Sequence, residues 1–90
     1  MANDIGAVAP PALTLYLRRW CHLCDDLLEA LLPMIEQHGI SVHEIDIDEH
    51  PEFEDAYGEH IPVLCAGQRE LCRHRLDAEA VQAYLLESQA

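Results

Sequence analysis

The chain contains no lysine, and its five basic residues are all arginines set against 17 acidic residues, for a formal net charge of −12. This balance excludes a general basic surface for nucleic acid. No apolar run approaches the roughly 20 residues that a membrane-spanning helix needs. The first residues, Met1 to Asp4, carry no basic segment ahead of an apolar core, so no secretory signal is expected. These absences predict a cytoplasmic protein with neither nucleic acid nor membrane among its partners.

Chain length and cysteine content limit the architecture. The 90 residues, half of them hydrophobic, are enough for one small domain, predicted over residues 13–90. Residues 1–12, rich in alanine and proline, predict a flexible lead-in, and a monomer is expected. Four cysteines could belong to a secreted disulfide scaffold, but the missing signal favours a reducing compartment. In that setting a Cys-x-x-Cys pair indicates redox chemistry or metal binding.

Two of the cysteines form the motif Cys21-His22-Leu23-Cys24, which lies between a strand-like run and a helical pattern. A thiol in the first turn of a helix faces unpaired backbone N–H groups and the positive end of the helix dipole, so its thiolate is stabilised. A second thiol three residues later lies on the same face, close enough for a readily reduced disulfide. The motif is therefore a candidate dithiol/disulfide site.

Hydrophobic periodicity and turn residues predict seven elements in the order β-α-β-α-β-β-α. The predicted strands cover residues 13–18, 42–47, 61–65 and 70–72, and the helices cover 21–38, 51–57 and the residues after a capping Asp77. Pro33 inside the first helix predicts a kink or a restart. The second strand is expected to be buried on both faces. A strand–helix–strand crossover predicts that the first two strands are parallel.

This order, with a Cys-x-x-Cys after the first strand and Ile61-Pro62 at the start of the third, resembles the thioredoxin fold, specifically its glutaredoxin-like branch. The likeness covers nearly the whole chain from about Leu13. It implies an α/β fold in which helices flank a four-stranded mixed sheet in the order 2-1-3-4. It also implies that a cis peptide bond precedes Pro62 and that this proline lies against the active-site disulfide.

The resemblance implies roles for residues at matching positions. Cys21 corresponds to the exposed nucleophile and Cys24 to the resolving thiol of a small thiol–disulfide oxidoreductase. The candidate substrate-binding residues are Arg18, Trp20, His22, Ile61, Pro62, Arg73 and Asp77. The implied partner is a disulfide-bearing protein or glutathione, with glutathione as a candidate co-substrate and no bound cofactor.

The chain departs from glutaredoxins in two places. His22-Leu23 stands between the cysteines where glutaredoxins usually have Pro-Tyr, and Cys72-Arg73 stands where they usually have two glycines. Because those glycines let the backbone approach glutathione, the sequence leaves the reductant open between glutathione and a reductase.

Two other functions are compatible with the same cysteines. Cys21 and Cys24 could supply two zinc ligands, but the sequence has no second Cys-x-x-Cys to complete a tetrahedral site. Alternatively, the cleft could bind a partner without turnover. The redox interpretation is favoured because both thiols and Pro62 are present together.

The remaining chemistry-bearing side chains are assigned mainly to structure. The arginines form two clusters, residues 18–19 and 69–75, and a basic rim that attracts an anionic substrate is slightly favoured over internal pairing with acids. Cys65 is expected to be buried, and Cys72 to be an inert thiol. The aromatic residues expected in the core are Tyr16, Phe53, Tyr57 and Tyr84, and the other histidines are assigned to the surface or to loops.

Overall fold

Four strands form one mixed sheet in the order β2-β1-β3-β4 in the computed structural model, which describes residues 12–88. Their bounds are β1 Ala12–Leu17, β2 Ser41–Asp46, β3 Val63–Ala66 and β4 Arg69–Arg73. Strand β1 is parallel to β2 and antiparallel to β3, and β3 and β4 form a hairpin. The predicted fold class and strand order are confirmed. The predicted lead-in lies outside the described residues, apart from Ala12, which begins β1.

Within residues 12–88, two α-helices and two short 3₁₀ turns lie between the strands, and a third α-helix follows β4. The helices are α1 His22–His38, α2 Glu54–Tyr57 and α3 Ala78–Ser88, and the 3₁₀ turns cover Ile47–Glu49 and Pro51–Phe53. Among the helices of residues 12–88, none is both long enough and apolar enough to cross a membrane.

Helix α1 continues through Pro33, which excludes the restart, and the kink stays a prediction. Pro33 is exposed, which leaves its ring facing solvent rather than the core. The cost of proline in a helix is the loss of one backbone hydrogen bond and crowding against the preceding turn, and the apolar face of α1 offsets it. The helix ends where Gly39 takes the left-handed conformation at φ +65° and donates its N–H to the carbonyl of Ile35.

Strand β2 is not buried on both faces, and that prediction is wrong. The sheet order places β2 at an edge, and its side chains are exposed or only partly buried. It also ends at Asp46, because the Asp46 carboxylate accepts the N–H of Asp48 and starts the 3₁₀ turn.

The hydrophobic core consists of two clusters on opposite faces of the sheet. The larger cluster packs α1 and α3 against residues that alternate along β1, and its buried members include Leu13, Leu15, Leu27, Leu31, Leu64, Val81 and Leu85. The smaller cluster lies under the 3₁₀ turns and α2 and contains Tyr16, Ile47, Val63 and Cys65, with Phe53 and Tyr57 against it. Tyr84 packs, half-buried, against the larger cluster. This alternation between faces is the two-residue period of a strand buried on both sides.

Helix α3 begins at the predicted cap. The Asp77 carboxylate accepts the backbone N–H of Ala80 at 3.1 Å, which satisfies one of the unpaired donors of the first turn. Leu76, just before the cap, packs against the cluster that contains Val81. The cap fixes where the chain leaves the hairpin and turns into α3.

Candidate redox site

The two cysteines of the motif form a disulfide at the start of α1. Cys21 and Cys24 are bonded through sulfur, with Cα atoms 5.2 Å apart. Cys21 is the N-cap residue, with φ −108° and ψ 108°, and Cys24 lies within the first turn. The chain can place both thiols together because β1 ends four residues before Cys21, at Leu17, and the helix begins directly after Cys21.

The sulfur of Cys21 acts as the helix cap. Its Sγ accepts the backbone N–H of Cys24 at 3.1 Å, the interaction that a Ser or Asp side chain usually makes at this position. A hydrogen-bond donor aimed at this sulfur and the positive end of a helix of 17 residues both favour negative charge there. The geometry therefore stabilises a Cys21 thiolate once the disulfide is reduced.

The two sulfurs differ in accessibility. Cys24 is buried with 2% of its surface exposed, whereas Cys21 is half-buried at the surface. An external disulfide can therefore approach Cys21 but not Cys24. This difference matches the order of action that the resemblance implies for the two thiols.

The Ile61–Pro62 segment lies at the same end of the sheet. Tyr16 is paired with Val63, so the residues before β3 adjoin the end of β1, from which the chain continues to Cys21. The Ile61–Pro62 bond is cis, and Pro62 is fully buried. The carbonyl of Pro62 accepts the N–H of His74 at 2.8 Å, which ties this loop to the end of β4.

The side chains around the disulfide form a surface that is exposed and partly apolar. Trp20 is 97% exposed and takes a left-handed backbone conformation at φ +60°. His22 is exposed, and Leu23 exposes 40% of its surface. Leu23 also lines a cavity of about 320 Å³ between α1 and the residues that follow β4, His74 to Leu76.

The arginines do not form the basic rim that was favoured from the sequence. Arg18 contacts Asp48 and bonds both carboxylate oxygens of Glu54, at 2.8 and 2.9 Å. These hydrogen bonds, the one to Glu54 foremost, raise the pKa of Arg18 above its ordinary value. Three more arginines also form ion pairs within 4 Å: Arg19 with Asp46 and Glu49, Arg69 with Glu87, and Arg73 with Glu70. Internal pairing with acids is what the structure shows for these four arginines, whereas Arg75 is exposed.

Arg73 and Asp77, proposed from the resemblance as substrate-binding residues, both have structural contacts. Arg73 bonds Glu70 at 2.6 and 2.8 Å, and this pairing lowers the pKa of the Glu70 carboxyl. Asp77 caps α3. A role for either residue in binding substrate stays a prediction.

The other two cysteines lie in the core. Cys65 belongs to the smaller cluster and Cys72 to the larger, and burial raises the pKa of both thiols. Both are therefore protonated at neutral pH and poor nucleophiles. The expected burial of Cys65 and inert character of Cys72 agree with this environment. Within residues 12–88, no three Cys, His, Asp or Glu side chains cluster in a way that could hold a metal ion.

Sequence reasoning missed two groups that shape the site. Asp48 and Glu54 hold Arg18 although they lie 30 and 36 residues away. His74 takes a left-handed conformation at φ +70° and reaches Pro62 through its backbone. Neither feature has a local signal, since both depend on which loops the fold brings together.

Comparison with solved structures agrees with this geometry. Protein Ne2328 from Nitrosomonas europaea is 31% identical, with 93% of this chain and 98% of that chain covered and a TM-score of 0.78. Protein XcR50 from X. campestris is 37% identical over 83% of this chain and 96% of its own, with a TM-score of 0.64. A thioredoxin variant from Halobacterium salinarum NRC-1, 24% identical with a TM-score of 0.61, covers 97% of this chain and 81% of its own and shows the shared fold.

Comparison of the sequence itself gives the family. No curated protein matches the chain at a significant level. The family model described as "Glutaredoxin-like domain (DUF836)" matches residues 12–86, which include the disulfide, the Ile61–Pro62 loop and all four strands. The chain belongs to this glutaredoxin-like family of the thioredoxin fold.

Proposed function

We propose that the protein is a thiol–disulfide oxidoreductase in which Cys21 is the nucleophile and Cys24 the resolving thiol. The observation that carries the proposal is the position of the Cys21 sulfur. This sulfur caps α1, accepts the Cys24 N–H and is bonded to the buried sulfur of Cys24. A site of this kind supplies both a stabilised thiolate and a partner sulfur for release of the substrate.

The first step is attack of the Cys21 thiolate on one sulfur of a substrate disulfide. The substrate S–S bond breaks, a mixed disulfide forms between Cys21 and one substrate sulfur, and the other substrate sulfur leaves as a thiolate. The Cys24 N–H and the helix dipole stabilise the charge on Cys21 before attack.

The second step releases the substrate. Cys24, deprotonated, attacks Cys21, closes the intramolecular disulfide and expels the second substrate thiolate. Two electrons pass from the protein dithiol to the substrate, and the protons of the two protein thiols end on the two substrate thiols. Regeneration of the dithiol requires an external thiol reductant, and the two candidates are glutathione and a dithiol reductase. The compartment that fits this cycle is the reducing cytoplasm.

Trapping of the mixed disulfide tests the proposal. Reduced Cys24→Ser protein, mixed with a small peptide disulfide, should accumulate one peptide adduct on Cys21, detectable by intact mass and peptide mapping. Cys21→Ser should form no such adduct, and the wild-type protein should pass through it to the intramolecular disulfide. An adduct on Cys65 or Cys72, or none in Cys24→Ser, would contradict the proposed function and favour a non-catalytic binding module.

A further inference from the structure

Trp20 is an exposed aromatic side chain whose two flanks are acidic. It lies directly before the nucleophile and exposes 97% of its surface, more than any other large hydrophobic residue among residues 12–88. One flank is a shallow groove lined by Asp46, Asp48 and Glu49, and the other includes Asp25. Arg19 lies in both.

The basic residues nearby do not neutralise this surface. Arg18 and Arg19 are bound to four carboxylates, Asp46, Asp48, Glu49 and Glu54, which leaves a surplus of two negative charges in that group alone. Asp25 and Asp26, both exposed in the first turns of α1, add two more. A substrate that approaches Cys21 over the indole therefore meets net negative charge.

We propose that this surface, composed of Trp20, Asp25, Asp46, Asp48 and Glu49, binds a positively charged segment that flanks the cystine of a disulfide-bearing protein. The inference rests on the proposed function and names its substrate class. A lysine or arginine side chain over the indole face gains a cation–π interaction, worth about 0.5–1 kcal/mol at exposed sites. The carboxylates on both flanks attract the same segment and raise its rate of association.

The same charges act against anionic disulfides. Glutathione disulfide carries net negative charge at neutral pH, and like charges placed together at an interface oppose binding. With Arg18 and Arg73 held by carboxylates of the protein, neither guanidinium is free for a substrate carboxylate. The surface thus selects a cationic disulfide over glutathione disulfide as the oxidant of the Cys21–Cys24 dithiol.

The test is a comparison of two symmetric peptide disulfides under single-turnover conditions. The peptides share one sequence, except that lysine in one and glutamate in the other lies two positions to either side of the cysteine. The wild-type protein is reduced, freed of reductant and mixed with each peptide, and formation of the Cys21–Cys24 disulfide is followed by quenching and mass. Each rate is divided by that of dithiothreitol with the same peptide, which removes intrinsic differences in reactivity.

We expect the lysine peptide to react about tenfold faster than the glutamate peptide at about 0.01 M ionic strength, where the Debye length is about 30 Å. The preference should nearly vanish at about 1 M, where that length is about 3 Å. Asp25→Asn/Glu49→Gln should lower the preference at low salt by about threefold or more. The matched control Glu29→Gln/Glu36→Gln removes two exposed charges from later turns of α1 and should retain it.

The indole is tested separately. Trp20→Ala should slow the lysine peptide about two- to fivefold relative to the glutamate peptide, and Trp20→Phe should recover part of that difference. Equal rates for the two peptides, or a preference for glutamate, would overturn this inference and leave the oxidoreductase intact. If the protein reduces neither peptide faster than dithiothreitol does, the proposed function fails and this inference fails with it.

Discussion

At the scale of single residues, one sulfur both caps a helix and lies partly exposed at the surface. The Cys21 Sγ caps α1 and, when reduced, is the accessible thiol of the pair. The cap and the accessible sulfur coincide because the motif begins at the residue where the strand-to-helix turn ends. The remaining thiols are deeper, so the chain presents one sulfur to an external disulfide.

Selective alkylation follows from this arrangement. In the reduced protein, Cys21 should react with iodoacetamide faster than Cys65 and Cys72 at every pH below 8. The midpoint of its pH–rate curve should lie below the value of about 8.5 for a free cysteine. Peptide mass mapping across a pH series measures both. The Cys24→Ser variant provides the same comparison without the second motif thiol, and a Cys21 midpoint at the free-cysteine value would contradict the stabilised thiolate.

Arg18 provides a second residue-scale prediction. Its guanidinium joins the end of β1 to Asp48 in a 3₁₀ turn and to Glu54 in α2, so Arg18→Ala should lower the free energy of unfolding by about 1–2 kcal/mol. Arg18→Lys should recover less than half, because an ammonium lacks the planar fork. Urea unfolding measures both effects.

A control separates this role from substrate binding. The Arg75 side chain is exposed and has no ion pair among the described residues. Arg75→Ala should therefore change the free energy of unfolding by less than about 0.5 kcal/mol. If Arg18→Ala kept wild-type stability but slowed the reaction with an anionic disulfide, Arg18 would be a substrate ligand instead.

At this scale the sequence specified the chemistry but not its surroundings. The motif cysteines and Pro62 have local signals, a Cys-x-x-Cys at a strand–helix boundary and a proline before a strand, and the structure brings them to one end of the sheet. The ion pairs could not be predicted in the same way. Seventeen acids compete for five arginines, and the partners of Arg18 are set by loops that meet only in the folded chain.

At the scale of elements, capping explains what was predicted correctly and sheet position explains what was not. Helix α3 begins after Asp77 because aspartate is a strong N-cap residue, a signal contained in a few adjacent positions. Burial of β2 depends on its neighbours in the sheet. Its apolar residues Val42 and Ile45 indicate a strand, but β2 is one of two edge strands and has a partner on one side only.

Asp77 gives the corresponding prediction. Asp77→Ala should lower the free energy of unfolding by about 1 kcal/mol, since the first turn of α3 loses a capping acceptor and a favourable charge. Asp77→Asn retains the acceptor and should keep most of the stability. Thermal and urea unfolding of the two variants provide the measurement. Equal losses in both would assign the effect to the charge alone, and no loss in either would show that the cap is unimportant.

At the scale of the whole molecule, each face of the sheet contains one buried thiol. Cys72 lies in the cluster under α1 and α3, and Cys65 lies in the cluster with Tyr16 and Tyr57. Burial is the main cause of the raised pKa at both thiols, and burial also raises the pKa of Tyr57 to about 12. Both clusters therefore hold neutral groups that ionise more readily in the unfolded chain.

The stability of the oxidised protein should therefore fall at alkaline pH. An unfolded cysteine ionises near pH 8.5, whereas the folded Cys65 and Cys72 keep their protons to higher pH, so unfolding releases protons in this interval. Stability is fully present below about pH 8.5 and decreases as the pH rises through the folded pKa values. The slope is at most about 1.4 kcal/mol per pH unit for each thiol.

Urea unfolding between pH 7.5 and 9.5 measures this slope before tyrosine ionises. Cys72→Ala should be less stable at every pH, because a buried side chain is truncated, but its stability should decline less steeply above pH 8.5. A slope identical to that of the wild type would show that Cys72 does not titrate differently in the two states.

The sulfur cap on α1 links the stability of the first helical turn to the oxidation state of Cys21 and Cys24. In the disulfide form, the helix begins on a neutral sulfur, whereas a Cys21 thiolate in the reduced form would place negative charge opposite the positive end of a helix of 17 residues. Reduction of the Cys21–Cys24 disulfide and fraying of the first turn of α1 are therefore thermodynamically linked. The rate of deuterium exchange at the Cys24 amide, which donates to the Cys21 sulfur, should therefore differ between the oxidised and reduced forms. This rate reports the oxidation state of the pair without a label on either cysteine.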